Sequence, residues 1–161
     1  SNVRFLRKYN STTMKNQWKI RPATQHDSIG LSVCMEKSYS FYQNRMDGKR
    51  LPPMDIDYSV EIENYPCWVV ELKNLVIGGL IMMFEKNYAQ IANIAVHPDY
   101  QGQGLGRGIM EFAEEKAKEK KYSRLELATH ILLKENISLY HHLGWNESGR
   151  DDTRVYFYKA I

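Results

Sequence analysis

Gly102, Gly104, Gly106 and Gly108 alternate with other residues just after an apolar run, Ile91-Ala92-Asn93-Ile94-Ala95-Val96, that bends through His97-Pro98. Beyond them begins a strongly amphipathic stretch. Glycines at a strand-to-helix junction let backbone N–H groups approach a ligand with no Cβ in the way. The first turn of a helix adds free donors and the positive end of its dipole. Together these make a cradle for an anion, phosphate above all. Four glycines in seven positions cost backbone entropy, which a bare tight turn would not justify.

Two familiar phosphate loops fail on the residues. An NTPase loop ends in Gly-Lys-Ser/Thr, where this chain has Gly106-Arg107-Gly108. A dinucleotide fingerprint needs glycine or alanine in its last slot, and the two registers place Arg107 or Ile109 there. Gln101-x-x-Gly104-x-Gly106 remains.

The elements that must hold this loop can be read from periodicity. Trp18 to Arg21 alternates as a strand, and His26 to Ser40 reads as a helix with Ile29, Val33, Met35 or Glu36, and Tyr39 or Ser40 at near-helical spacing and Asp27 or Ser28 as cap. Phe41 to Pro53 reads as loop and Met54 to Glu63 as a second helix. Cys67 to Leu72 and Leu75 to Phe84 form a hairpin about Lys73-Asn74, followed by a strand over Gln90 to Val96. Leu105, Ile109, Phe112, Ala113 and Ala117 line one face of the helix after the loop, with Glu114, Glu115, Lys118 and Glu119 opposite. Arg124 to Thr129 is a strand, Leu133 to Leu143 a helix stopped by Gly144, and Val155 to Tyr158 a final strand. Helices spaced through a mostly β chain predict an α/β (α+β) fold.

The 161 residues suit one domain over 17–161 behind a polar tail, 1–16, in which Met14 is a natural start. A net charge of +3 gives no footprint for nucleic acid, and no apolar run approaches the roughly 20 residues of a membrane span. With two cysteines, Cys34 and Cys67, and no apolar leader, the chain reads as a reduced, cytoplasmic protein.

Gln101-x-x-Gly104-x-Gly106 after Asn93-Ile94-Ala95-Val96-His97-Pro98, followed later by Glu135-Asn136-Ile137-Ser138-Leu139-Tyr140-His141-His142-Leu143-Gly144-Trp145, resembles the GNAT superfamily of N-acetyltransferases. The resemblance runs from about Trp18 to the C-terminus and is strongest from Asn93 to Trp145. It implies a mixed, mostly antiparallel sheet with a splayed centre, flanked by helices. It implies acetyl-CoA as co-substrate, no metal and a primary amine as acceptor, and it allows a homodimer.

Carried onto this chain, the resemblance assigns the CoA pyrophosphate to Gln101, Gly102, Gln103, Gly104, Leu105, Gly106 and Arg107, with Arg107 either a phosphate contact or a solvated first-turn residue. The pantetheine arm falls along Ile94 and Val96, and a backbone N–H near Ile94 or Ala95 meets the oxyanion. Asn136 holds the CoA arm or the helix–strand junction, and Tyr140 gives a proton to the leaving thiolate, which a phenol of pKa near roughly 10 can supply at neutral pH. The competing reading of Tyr140 is a packed helix aromatic.

No carboxylate stands on the fourth strand, leaving Glu71, Glu85, His97 and His130 as candidate bases, or water. Tyr39, Tyr42, Arg45, Met54, Asp55, Asp57 and Tyr58 are candidates for the acceptor pocket, Arg45 for a carboxylate and Asp55 or Asp57 for a second ammonium. A small-molecule amine leads as acceptor, ahead of a protein N-terminus or lysine, and a CoA-sensing module without turnover is the alternative.

Overall fold

Period-two runs between residues 67 and 96 fold, in the computed structural model, as an antiparallel meander: β2 (Cys67–Leu72), β3 (Leu75–Phe84) and β4 (Ala89–Val96). The structure describes residues 18–161, and the tail expected over 1–16 lies outside them. Lys73 and Asn74 both adopt left-handed φ, 48° and 66°, the two-residue turn whose twist matches the flanking strands. Ahead of the meander come β1 (Lys19–Pro22), α1 (Ser28–Ser40) and α2 (Tyr58–Asn64). After it come α3 (Leu105–Glu119), β5 (Arg124–His130), α4 (Lys134–His142), β6 (Asn146–Arg150) and β7 (Arg154–Ala160). The seven strands form one sheet in the order β1-β2-β3-β4-β5-β7-β6.

Every neighbouring pair is antiparallel except β4–β5, which pairs at Ala89↔Leu125 and Gln90↔Glu126. Just beyond, β4 carries an extra residue: Ile91 faces Met82 and Asn93 faces Ile81, so Ala92 is left over as a bulge. A bulge bends its strand and tightens the local twist. β4 therefore turns away from β5 after two pairs, and the sheet opens along a seam. This is the splayed centre that the family resemblance implies.

Helices cover both faces. On one, Ile109 and Phe112 of α3 pack with Leu80, Met82, Leu125 and Phe157; on the other, Leu31 and Met35 of α1 pack with Tyr58, Val69 and Ile81. Gly78-Gly79 let both layers close onto β3. A Cβ on Gly78 would stand 3.1 Å from the Ala95 carbonyl oxygen and 3.3 Å from Ile109 Cδ1, and one on Gly79 would collide with Leu31 Cδ1.

The sequence misreads four local features. In α1, Ile29 and Val33 face solvent, while Leu31, Cys34, Met35 and Ser38 are buried, because the helix docks on the notch at Gly79. Pro52 to Met54 is a separate short turn, and α2 starts only at Tyr58, with the Asp57 carboxylate accepting the Ser59 N–H at 3.0 Å as its cap. β6 is a mostly exposed, polar edge strand with no apolar alternation to announce it. Glu114 is half-buried and bound to Lys159 Nζ at 3.1 Å, whereas Glu115, Lys118 and Glu119 are exposed as expected.

Candidate functional site

The glycine loop leads into α3 without a side-chain cap. Gly104, at φ +83°, occupies the N-cap position, and the first helical bond runs from the Gly108 N–H to the Gly104 carbonyl at 2.9 Å. The N–H groups of Leu105, Gly106 and Arg107 therefore lack intrahelical acceptors. These residues, with Gln101, Gly102 and Gly104, line a cleft of about 460 Å³. A Cβ on Gly102 or Gly104 would meet no protein atom within 4 Å, and one on Gly106 would meet Val96 Cγ2 at 4.0 Å. The open space beside these glycines thus belongs to the cleft, and it fits a phosphate held by backbone donors. Arg107 lies on the rim, 3.9 Å from Glu111. Gln103 is half-buried and does not line the cleft.

One wall of the cleft is the free edge of β4. The His97 N–H donates to the Ile77 carbonyl at 2.8 Å, which fixes the phase of the β3–β4 ladder. Asn93, Ala95 and His97 turn their backbone groups toward β3, and Ile94 and Val96 turn theirs into the seam. Two hydroxyls of α1 meet those carbonyls: Tyr39 donates to Ile94 at 3.0 Å and Ser38 to Val96 at 2.9 Å. Of the two amides expected near the reacting carbonyl, the one aimed into the seam is that of Ile94. Ala95 points its carbonyl at Gly78.

Tyr140 forms part of the opposite wall. The end of α4 locks it: the Trp145 N–H donates to the Tyr140 carbonyl at 2.9 Å and the Gly144 N–H to His141 at 3.1 Å, with Gly144 at φ +87°. This is a Schellman stop. It brings Trp145 against the Tyr140 ring, with Phe157 5.5 Å away on another side. Burial pushes the phenol well above its ordinary pKa, so it stays neutral at any physiological pH. Tyr39, likewise desolvated, is pushed up to about 12.

A second, smaller cavity of about 180 Å³ shares Tyr39, Ile94, Asn136 and Tyr140 with the first. Its other walls include Leu51 and Pro52 from the α1–α2 connection, His130 from β5 and Arg154 from β7. No aspartate or glutamate lines it.

The remaining candidates fall into place by their partners. Glu71 bridges Lys19 at 3.1 Å and Arg21 at 3.2 Å and lines neither cavity, and Glu85 lines neither. His97 also stands outside both, with its Nδ1 accepting the Asp99 N–H at 3.1 Å. His130 does face the small cavity, with its Nδ1 accepting the Leu132 N–H at 3.1 Å. Arg45 is bound by both Nη atoms to Glu135 at 2.5 and 2.6 Å, and Asp55 to Arg50 at 2.6 Å. Met54 and Tyr58 are core residues, while Tyr39 and Tyr42 line the larger cleft. Ser38 and Arg154 line the cavities without any local signal in the sequence, and Glu135, to which the resemblance assigns no role, lines the larger one beside Asn136. Among the described residues no three His, Cys, Asp or Glu side chains cluster to hold a metal ion, and no helix is long and apolar enough to cross a membrane.

The chain is 32% identical over 99 residues to the uncharacterized N-acetyltransferase YjgM of Escherichia coli K12, covering 58% of this chain and 59% of that protein. It is 40% identical over 60 residues to the ribosomal protein bS18-alanine N-acetyltransferase of the same organism, covering 37% of this chain and 40% of that one. The chain thus aligns with less than two thirds of either relative. The fold matches that of the PaiA N-acetyltransferase of Thermoplasma acidophilum, solved with coenzyme A, at a TM-score of 0.79 over 89% of this chain and 99% of that one, with 17% identity. The model of the acetyltransferase (GNAT) family matches residues 34–145, which contain the glycine loop, the β4 edge and Tyr140, and the chain belongs to that family.

Proposed function

We propose that this protein transfers the acetyl group of acetyl-CoA to the primary amine of a small molecule. The observation that carries the reading is the junction of the two cavities at Ile94, Asn136 and Tyr140. One cavity has backbone donors suited to a pyrophosphate, and the other has room for a small acceptor. Its roughly 180 Å³ lies below the range of about 300–1,000 Å³ of drug-sized sites.

Acetyl-CoA, when bound, supplies an acyl group already activated as a thioester. The N–H groups of Gly102 to Arg107 hold its phosphates, with Arg107 adding charge. The Ile94 and Val96 backbone groups orient the arm as an added strand, and the Tyr39 and Ser38 hydroxyls stay within reach of the same carbonyls. The Ile94 N–H donates to the acetyl oxygen where negative charge develops. The Tyr140 hydroxyl donates its proton toward the departing sulfur. With no carboxylate in the small cavity, water takes the proton of the incoming amine.

A protein N-terminus is the second reading, favoured by the similarity to the bS18-alanine enzyme. Calorimetry with acetyl-CoA, then thiol release across small amines and free-N-terminal peptides, tests all readings together. Turnover of small amines is expected. Binding without turnover on any amine would leave a CoA-sensing module, and peptide-only turnover would move the acceptor to protein.

A further inference from the structure

Resting on that acetyl-transfer reading, we propose that the acceptor is a small amine bearing its own carboxylate, and that Arg154 is the residue that recognises it. Arg21, Arg45, Arg50, Arg107, Arg124 and Arg150 each lie against a carboxylate. Arg154 is the one described arginine whose guanidinium does not, and it lines the small cavity. Of the two carboxylates close to it in sequence, Asp152 forms no ion pair with it and Asp151 is already engaged. Asp151 Oδ1 accepts the Thr153 and Arg154 N–H groups at 2.9 and 2.7 Å, and its Oδ2 accepts the Tyr156 hydroxyl at 2.9 Å.

Strand register supplies the second donor. His130 and Arg154 are direct partners across β5–β7, so their side chains rise from the same face about 4.5–5.5 Å apart at Cβ. Because His130 Nδ1 accepts the Leu132 N–H, the neutral ring carries its hydrogen on Nε2, as a donor. A guanidinium fork beside an imidazole N–H, in a cavity without acidic residues, matches a carboxylate. The same lining offers no counter-charge to a second ammonium. Leu51, Pro52 and Leu133 supply an apolar wall, and the amine end reaches the junction at Ile94 and Tyr140.

The test uses calorimetric binding to the free and the CoA-saturated protein, followed by thiol release with acetyl-CoA. Matched probes are L-leucine with L-leucinamide and 4-aminobutanoate with n-butylamine, with putrescine as a dication and a C-terminally amidated tripeptide as a peptide. The carboxylates are expected to bind and turn over about tenfold better than their neutral partners, the gain from one charge-assisted contact at a rim. Leucinamide has the less basic amine, so intrinsic reactivity alone would favour it, and a reversed preference must come from the site. R154Q should raise the Kd and KM of the carboxylates about tenfold and leave the KM of acetyl-CoA unchanged, with R154K recovering part of the loss. Equal or better use of butylamine, putrescine or the tripeptide overturns the assignment while leaving acetyl transfer standing, as does an R154Q protein with unaltered carboxylate Kd. Failure to bind acetyl-CoA would strike the transfer reading instead, and Arg154-dependent carboxylate binding would still be read on the free protein.

Discussion

Tyr140 combines two properties that pull against each other: a polar hydroxyl to present and a ring to bury. The Schellman stop resolves the conflict by pinning its carbonyl to Trp145 while the ring packs on Phe157 and the residue borders both cavities. Tyr140→Phe keeps the ring, so the fold and the acetyl-CoA affinity should hold while kcat falls about 10²-fold, the low end for a positioned proton donor. An unchanged kcat would remove Tyr140 from the chemistry. Because burial raises its pKa, the phenol keeps its proton above pH 10, and no alkaline loss of rate below that pH should trace to it. Asn136 and Tyr140 were legible because they lie in one short motif with Gly144. Arg154 was not, nor was its pairing with the candidate His130, since 24 residues and a strand register separate the two. Arg45 and Asp55 misled because a sequence lists charges without their partners, and here both are held in ion pairs.

Among the elements, α1 shows how tertiary contacts decide what periodicity cannot. Its start is tied to β1 through Asp27, whose carboxylate takes both Arg21 Nη atoms at 2.8 Å and the Thr24 N–H at 2.8 Å. The Arg21 guanidinium, helped by Thr24, holds the Asp27 carboxyl below its usual pKa against the opposing effect of burial. A depressed pKa means the stabilisation is complete above the unfolded value of about 3.9 and fades as pH falls through the folded one. Asp27→Asn should cost about 1–3 kcal/mol at pH 7, and urea midpoints of variant and parent should converge toward pH 3. A gap independent of pH would contradict this account.

The loop before α3 allows a cleaner separation of strain from function. Gly104→Ala and Gly48→Ala both place a Cβ at positive φ, +83° and +75°, with no protein atom within 4 Å. Each should lose about 1–2 kcal/mol of stability. Only Gly104→Ala should also weaken acetyl-CoA binding, by about tenfold or more, because its Cβ enters the cleft. The glycine loop and α3 were readable because both patterns are local, whereas β6 is polar and the buried face of α1 depends on a notch in a distant strand.

Across the whole molecule the decisive feature is where pairing stops. Two register pairs join β4 to β5, and a single bulged residue then parts them, so a row of backbone groups is left facing the gap while α3 still packs on strands of both halves. Hydrogen exchange should report this directly. The Ile94 and Val96 amides should exchange quickly in the free protein and become protected on adding CoA, while the Ala95 amide, in the β3 ladder, is slow in both states. Equal protection of all three without ligand would mean that the seam is closed.

The gap also has two doors. One opens at the glycine loop and the other beside Pro52 and Arg154, and they meet at a shared wall. A donor that enters through one does not block the other, so both reactants can wait inside together and the acyl group need never rest on the protein. For the proposed reaction, double-reciprocal plots of initial rate should therefore intersect, and parallel lines would point to a covalent relay for which the shared wall offers no cysteine.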